Sequence, residues 1–288
     1  MKTNIKSFLK LIFLIPIIQS SKNLRHLQTT FSIEFDKTNW SYDSYNKVYY
    51  QMALPYCTKP VSITYNTLSI YVPENYLSCT SSSGKYTCTV NPNGKVGSYT
   101  GATAPIVMPI NTPGYSAQMS IGSYSYQGLS DYLTKGLIYL YAGCRGVYDS
   151  LFDILGAPWG VTDLKAAIRF IRYNSDLIPG DKNSIFTLGH SGGGAQSCLL
   201  GVTGDSELYT DYLNEIGAAM TDSKGNSISD GIKGSQCWCP ITNLDTADMA
   251  YEWNMGQYFS TDSRTSGTFT KKLSDDLSEK YVTYINDI

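Results

Sequence analysis

The stretch Gly189-His190-Ser191-Gly192-Gly193 constrains the fold of this chain more than any other feature. An apolar run, Ser184-Ile185-Phe186-Thr187-Leu188, leads into it, and helix-compatible residues from Ala195 to Val202 follow. A G-x-S-x-G sequence between a strand and a helix marks a sharp turn that presents a serine hydroxyl clear of the backbone. The backbone in such a turn is strained, so the residues two before and two after the serine must be small. Gly189 and Gly193 meet that need. Ser191 is therefore the candidate nucleophile, and the Gly192 N–H is a candidate donor to an oxyanion. A glycine-rich turn with an exposed serine is the competing reading, because five residues recur easily in a chain with 25 glycines.

The surroundings read as α/β. Pro105-Ile106-Val107-Met108-Pro109-Ile110 and Leu137-Ile138-Tyr139-Leu140-Tyr141 are short apolar runs without alternation, as in strands of a parallel sheet covered on both faces. From Val161 to Ile171, positions 161, 164, 168 and 171 put apolar side chains on one helix face, with Asp163 near the start, where the dipole favours a negative charge. Strand, helix and strand at this spacing make a βαβ unit with a right-handed crossover. Earlier, residues 30–100 are β-rich. Val61 to Tyr65 and Leu68 to Val72 alternate apolar and polar residues, predicting half-buried strands. The loop Asn111 to Tyr115 follows the run at 106–110, and the Tyr115 backbone N–H is the candidate second oxyanion donor. A plain turn at Thr112-Pro113-Gly114 is the alternative.

The N-terminal segment, the cysteines and the charge balance give expectations for compartment and partners. Met1 to Lys10 carries three lysines and no acid, Leu11 to Ile18 is a short apolar run, and Gln19-Ser20-Ser21 supplies small polar residues. This predicts a secretory signal peptide over residues 1–21, cleaved near Ser21, and an extracellular location. The apolar run is shorter than the roughly 20 residues that span a bilayer, so no membrane association is expected after its removal. Seven cysteines fit an oxidising compartment. Cys79 and Cys88 flank a turn-rich loop that can return the chain for a local disulfide, whereas Cys237 and Cys239, two apart on an expected strand, are not expected to bond each other, because extended backbone holds them near the limit of disulfide reach. With two histidines, His26 and His190, and no paired C-x-x-C, no metal site is expected. Basic residues number 22 against 24 acidic, which leaves no excess to neutralise nucleic-acid phosphates. Asn39-Trp40-Ser41 is an N-glycosylation sequon that a secreted context permits.

Four stretches carry a family resemblance: Gly136 to Gly146, Ala157 to Ala167, Gly189 to Ser197, and Cys239 to Asp245 running on through Ala250-Tyr251-Glu252-Trp253. Together they resemble the bacterial-type tannases and tannase/feruloyl-esterase-like α/β-hydrolases over roughly residues 55–288. The resemblance implies an α/β-hydrolase fold with a mostly parallel central sheet, and a carboxylic-ester hydrolase that needs no cofactor. It implies a small-molecule ester substrate, such as a galloyl or hydroxycinnamoyl ester of plant material. Ser191 matches the family's nucleophile.

An elbow serine needs a histidine to take its proton and an acid to orient that histidine, in chain order serine, acid, histidine. No histidine follows Ser191, and His190, its neighbour, cannot turn back onto the same serine. In the family the acid and histidine come from the last strands, beyond an inserted lid. The chain is therefore expected to be a partial α/β-hydrolase domain over residues 30–288, truncated before the last strands and inactive as written. Asp205, Asp245 and Asp248 follow Ser191 without an assignable catalytic role, the last two reading as solvated or capping residues. Three readings stay open: a shortened copy or incomplete gene, a non-catalytic or vestigial secreted binding protein, and a Ser-Lys arrangement using Lys224, Lys233, Lys271, Lys272 or Lys280.

Overall fold

The computed structural model describes residues 30–147, 156–240, 245–256 and 264–287. The expected signal peptide, residues 1–21, and His26 lie outside the described residues. The unit that begins at Phe31 carries the sheet.

The chain enters the sheet through β1 (Ser41–Asp43), β2 (Val48–Pro55) and β3 (Thr67–Pro73). Two hairpins follow, β4 (Leu77–Ser82) with β5 (Lys85–Val90) and β6 (Lys95–Val96) with β7 (Tyr99–Thr100). Next come β8 (Ile106–Ile110), the short helix α1 (Ser130–Leu133) and β9 (Ile138–Ala142). Helix α2 (Trp159–Tyr173), β10 (Ile185–His190) and helix α3 (Gly192–Val202) lead to α4 (Thr210–Glu215), β11 (Gly234–Trp238), α5 (Ala247–Met255) and α6 (Phe269–Asn286). Among the described residues the main sheet has seven strands, in the order β1-β2-β3-β9-β8-β10-β11. It is mixed. The pairings from β1 to β9 are antiparallel, and those joining β9, β8, β10 and β11 are parallel. The apolar runs without alternation, β8 and β9, pair in parallel with each other, and β8 pairs in parallel with β10.

That order fixes where a site can sit. The chain leaves β8 for β9 on one side and later returns to β10 on the other. Where successive connections part in this way, a crevice opens at the carboxyl ends of the strands. Asn111 to Tyr115 leaves the end of β8, and Ser191 leaves the end of β10, so both stand at this crevice.

Two strand expectations change. Val61 to Tyr65 is a turn: the Asn66 side chain accepts the Val61 and Ser62 N–H groups at 3.0 and 3.2 Å, and the Tyr65 and Asn66 N–H groups close onto the Ser62 carbonyl. A side-chain amide here supplies the partners a strand would have offered. Leu68 to Val72 is a strand within β3, but all seven residues of β3 are buried rather than half-buried, because it lies inside the sheet between β2 and β9.

Helix α2 departs from its one-faced pattern as well. Every residue from Gly160 to Ile171 is buried, including the polar Thr162, Asp163, Lys165 and Arg169 outside the apolar stripe. Asp163 lies beyond the first turn of a helix that starts at Trp159, so its partner is not the helix dipole. It receives the Arg145 guanidinium in a two-pronged bond, Nε at 2.9 Å and Nη2 at 2.7 Å, plus the Arg145 N–H at 2.9 Å. The Trp159 ring covers that guanidinium at 4.0 Å. Burial pushes the Asp163 carboxyl upward, and the guanidinium acts against that push. One turn on, Lys165 and Arg169 both bind Asp230, at 2.7 Å each. Buried charges persist when paired this way, and α2 is thereby tied to the loops around it.

Cys79 and Cys88 face each other across β4 and β5, joined as a disulfide with Cα atoms 4.1 Å apart. Strand β11 ends at Trp238, and Cys239 beyond it has φ 50°, so the strand expected to hold both Cys237 and Cys239 stops short of Cys239.

Candidate active site at the strand-to-helix turn

Ser191 joins β10 to α3 with φ 56° and ψ −123°. Few residues with a side chain adopt a positive φ, and such strain persists only where the surroundings enforce it. Here the enforcement is backbone packing on every side. A Cβ at Gly189 would stand 2.3 Å from the Gly193 carbonyl, and one at Gly193 would stand 2.2 Å from the Ile110 oxygen at the end of β8. A Cβ at Gly192 would meet the Thr112 oxygen at 2.2 Å, and one at Gly194 the Trp238 oxygen at 2.4 Å. The Ser191 N–H donates to the Trp238 carbonyl at 2.9 Å, and its own carbonyl accepts the Ala195 N–H at 2.9 Å. Three strand ends and one helix start thus converge on a half-buried serine.

Gly192 is the first residue of α3. Its N–H belongs to the first turn, where no helical carbonyl is available and the dipole favours negative charge. Tyr115 comes close: its nitrogen lies 2.6 Å from where a Gly192 Cβ would be. However, Tyr115 has φ 62°, and its N–H donates to the Thr112 carbonyl at 3.0 Å while its carbonyl accepts the Val147 N–H at 2.8 Å. The Tyr115 N–H is therefore engaged in its own turn. Burial raises the Tyr115 hydroxyl above its ordinary range, which keeps it protonated.

The other named residues sit as follows. His190 is exposed at the end of β10. Asp205 accepts the Ser229 hydroxyl at 2.6 Å and the Asp230 N–H at 2.8 Å, and so serves the buried network of α2. Asp248 lies in the first turn of α5, and Asp245 is exposed before it. Lys271 pairs with Asp275 on α6. Among the described residues no cluster of three or more His, Cys, Asp or Glu could hold a metal ion.

Sequence reading missed Trp238, whose carbonyl anchors the elbow from the neighbouring strand; only the β10–β11 register reveals it. It also missed the Arg145–Asp163 pair, whose partners lie 18 residues apart and meet only in the fold. Next to α3 lies a cavity of about 270 Å³ lined by Tyr115, Pro158, Val161, Gln196, Leu199 and Tyr209. Its wall is apolar enough to accept a ring, although Ser191 itself is not in that wall.

The family model described as BD-FAE matches residues 100–262. Among solved structures, the chain is similar to the tannase of Fusobacterium nucleatum, at 30% identity and a TM-score of 0.67, over 89% of this chain and 57% of that one. It is also similar to tannin acyl hydrolase from Lactobacillus plantarum, at 29% identity and a TM-score of 0.64, over 88% of this chain and 56% of that one. A tannin acyl hydrolase solved in complex with ethyl gallate matches at 29% identity and a TM-score of 0.64, with the same coverage. The chain spans little more than half the length of these structures. A search of curated proteins found no match.

Proposed function

This chain belongs to the tannase/feruloyl-esterase-like α/β-hydrolase family, and on that premise we propose that Ser191 is the nucleophile of a carboxylic-ester hydrolase site. The observation that carries this reading is the strained Ser191 backbone, held by glycine-to-backbone packing at the ends of β8, β10 and β11. In the proposed chemistry, the Ser191 hydroxyl adds to the ester carbonyl and the Gly192 N–H receives the charge that develops on oxygen. The alcohol then leaves, and water releases the acid from an acyl-serine. None of these steps calls on a metal or organic cofactor.

A serine hydroxyl at neutral pH needs a base to take its proton. The sequence has no histidine after Ser191, so these 288 residues supply the nucleophile without an evident base. Losing one member of such a triad costs factors of about 10⁴ to 10⁶ in turnover. The chain alone is accordingly expected to be a poor esterase. For substrate we propose small phenolic esters of the galloyl or hydroxycinnamoyl kind; the ethyl gallate bound by a relative supports this. We also propose secretion, supported by the basic and then apolar N-terminal sequence and by a Cys79–Cys88 disulfide suited to an oxidising compartment. Terminal sequencing of secreted material that recovers Met1 to Ile18 would refute secretion with cleavage.

The test of the serine reading supplies the base from outside. Residues 22–288 are assayed on aryl and galloyl esters with and without added imidazole, beside Ser191→Ala. Slow turnover above the free-imidazole background, absent from Ser191→Ala, is expected. Equal rates in the two proteins would remove Ser191 from the chemistry and favour a non-catalytic binding protein. Ordinary esterase rates without imidazole, lost in Ser191→Ala, would instead overturn the expected weakness and point to an unrecognised base.

A further inference from the structure

We propose that Cys198 and Cys237 are a disulfide pair that fastens helix α3 to strand β11 under oxidising conditions. Two independent periodicities bring them together. On α3, Gly194 packs on the Trp238 backbone and Gly201 on the Ser235 side chain, whose Oγ would be 2.5 Å from an added Cβ. Cys198 lies four residues after Gly194 and three before Gly201, so it shares the helix face that rests on β11. On β11, Ser235 points at α3, and Cys237 two residues on points to the same side. The two thiols are accordingly within hydrogen-bond reach of each other, and both side chains are half-buried. Burial and the adjoining Cys237 thiol hold the Cys198 thiol above its ordinary range.

The other free cysteines are placed differently. Cys57 and Cys144 are buried, and burial pushes both thiols up to about 12, where almost no thiolate forms at neutral pH. Cys239 is exposed beyond the end of β11. It is the competing partner.

The oxidant is a small disulfide such as glutathione disulfide. The thiolate of one cysteine attacks a donor sulfur, forming a mixed disulfide and expelling one donor thiolate. The second cysteine's thiolate then attacks the protein sulfur of that mixed disulfide, forming the Cys198–Cys237 bond and expelling the other donor thiolate. The protein sulfurs lose two electrons, the donor disulfide gains them, and the two thiol protons end on the two donor thiols. The consequence is local. Ser191 begins the segment that leads into α3, and its N–H is bonded to Trp238, next to Cys237. A bond from Cys198 to Cys237 closes a ring through the elbow and stiffens the turn that holds Ser191.

The experiment uses the full chain with Cys79–Cys88 intact, incubated with glutathione disulfide, denatured, alkylated and digested without reduction. A peptide pair linked through Cys198 and Cys237 is expected, with Cys57, Cys144 and Cys239 alkylated. Cys239→Ser should retain the link, and Cys198→Ser should abolish it. Oxidation should raise the thermal midpoint of the wild type and of Cys239→Ser, but not of Cys198→Ser. Alkylation of both Cys198 and Cys237, their capture only as glutathione adducts, or a link from either one to Cys239 would overturn the proposal. Mapping of the wild type decides this even if the Cys198 variant fails to fold.

Discussion

At the scale of single residues, Ser191 and the glycines around it pull stability and chemistry in opposite directions. Serine at φ 56° and ψ −123° occupies a region that glycine enters without strain. Ser191→Gly should therefore raise stability by about 1 kcal/mol, the usual order for relieving such strain. It would remove the hydroxyl at the same time. Gly193→Ala should do the reverse: its Cβ would collide with the Ile110 carbonyl, a backbone atom that cannot rotate away, and a loss of about 3 kcal/mol or a failure to fold is expected. Urea unfolding of the two variants beside wild type checks both, and a Ser191→Gly midpoint below wild type would contradict the strain argument. The elbow was legible in the sequence because its constraint is steric and acts on residue identity, so it leaves glycines at fixed offsets. The Tyr115 donor was only half legible. Its loop could be located after an apolar strand, but where its N–H points depends on Gly114 and Tyr115 both taking positive φ, which no residue pattern announced.

At the scale of elements, α2 explains how a helix with charged residues can run through the interior. Lys165 and Arg169 converge on Asp230, which also accepts the Asp205 N–H at 2.9 Å. Asp230→Ala would leave two buried cations without their carboxylate, and removing one partner of such a group costs about 3–5 kcal/mol. An unfolding midpoint within error of wild type would show that water or the Thr203 carbonyl replaces it. Asp205 adds a pH dependence. Burial works to raise its carboxyl, but the Ser229 hydroxyl, the Asp230 N–H and the Arg169 and Arg172 charges outweigh burial and hold it below the ordinary range. A carboxylate depressed in the folded state binds its proton more readily once unfolded, so its contribution is present above roughly pH 4 and is lost as pH falls through the folded value. Asp205→Asn should therefore flatten the acid side of the stability profile while leaving the slope near pH 7 unchanged. Sequence periodicity found α2 from its apolar stripe. It could not find the buried polar face, because its partners come from separate segments, Arg145 before the helix and Asp230 well after it.

At the scale of the whole molecule, the sheet order accounts for both the site and the molecule's exposed flank. Reading the apolar runs as parallel strands was possible because double-sided burial suppresses alternation. The antiparallel half, with its tyrosines and hairpins, carries mixed signals, and there the alternation of Val61 to Tyr65 mimics a strand where the chain turns. The position of β11 as the last strand of the described sheet followed only from pairing. Its far side meets no other described strand, three of its five residues are exposed, and Trp238 retains 61% of its surface. An edge strand offers unpaired N–H and C=O groups to another chain unless charge, proline or a covering element blocks it. Residues 234–238 contain neither charge nor proline, and Tyr251, Trp253 and Phe269 are further exposed aromatics in the segments that follow. The chain is therefore expected to self-associate as its concentration rises, with or without reductant, so that Cys239 cross-linking is not the cause. Gln236→Lys with Trp238→Lys should suppress this by placing two charges on the edge. Light scattering in the presence of reductant decides it: a monomer throughout the concentration range, or association undiminished in the double variant, would show that pairing at β11 does not drive it.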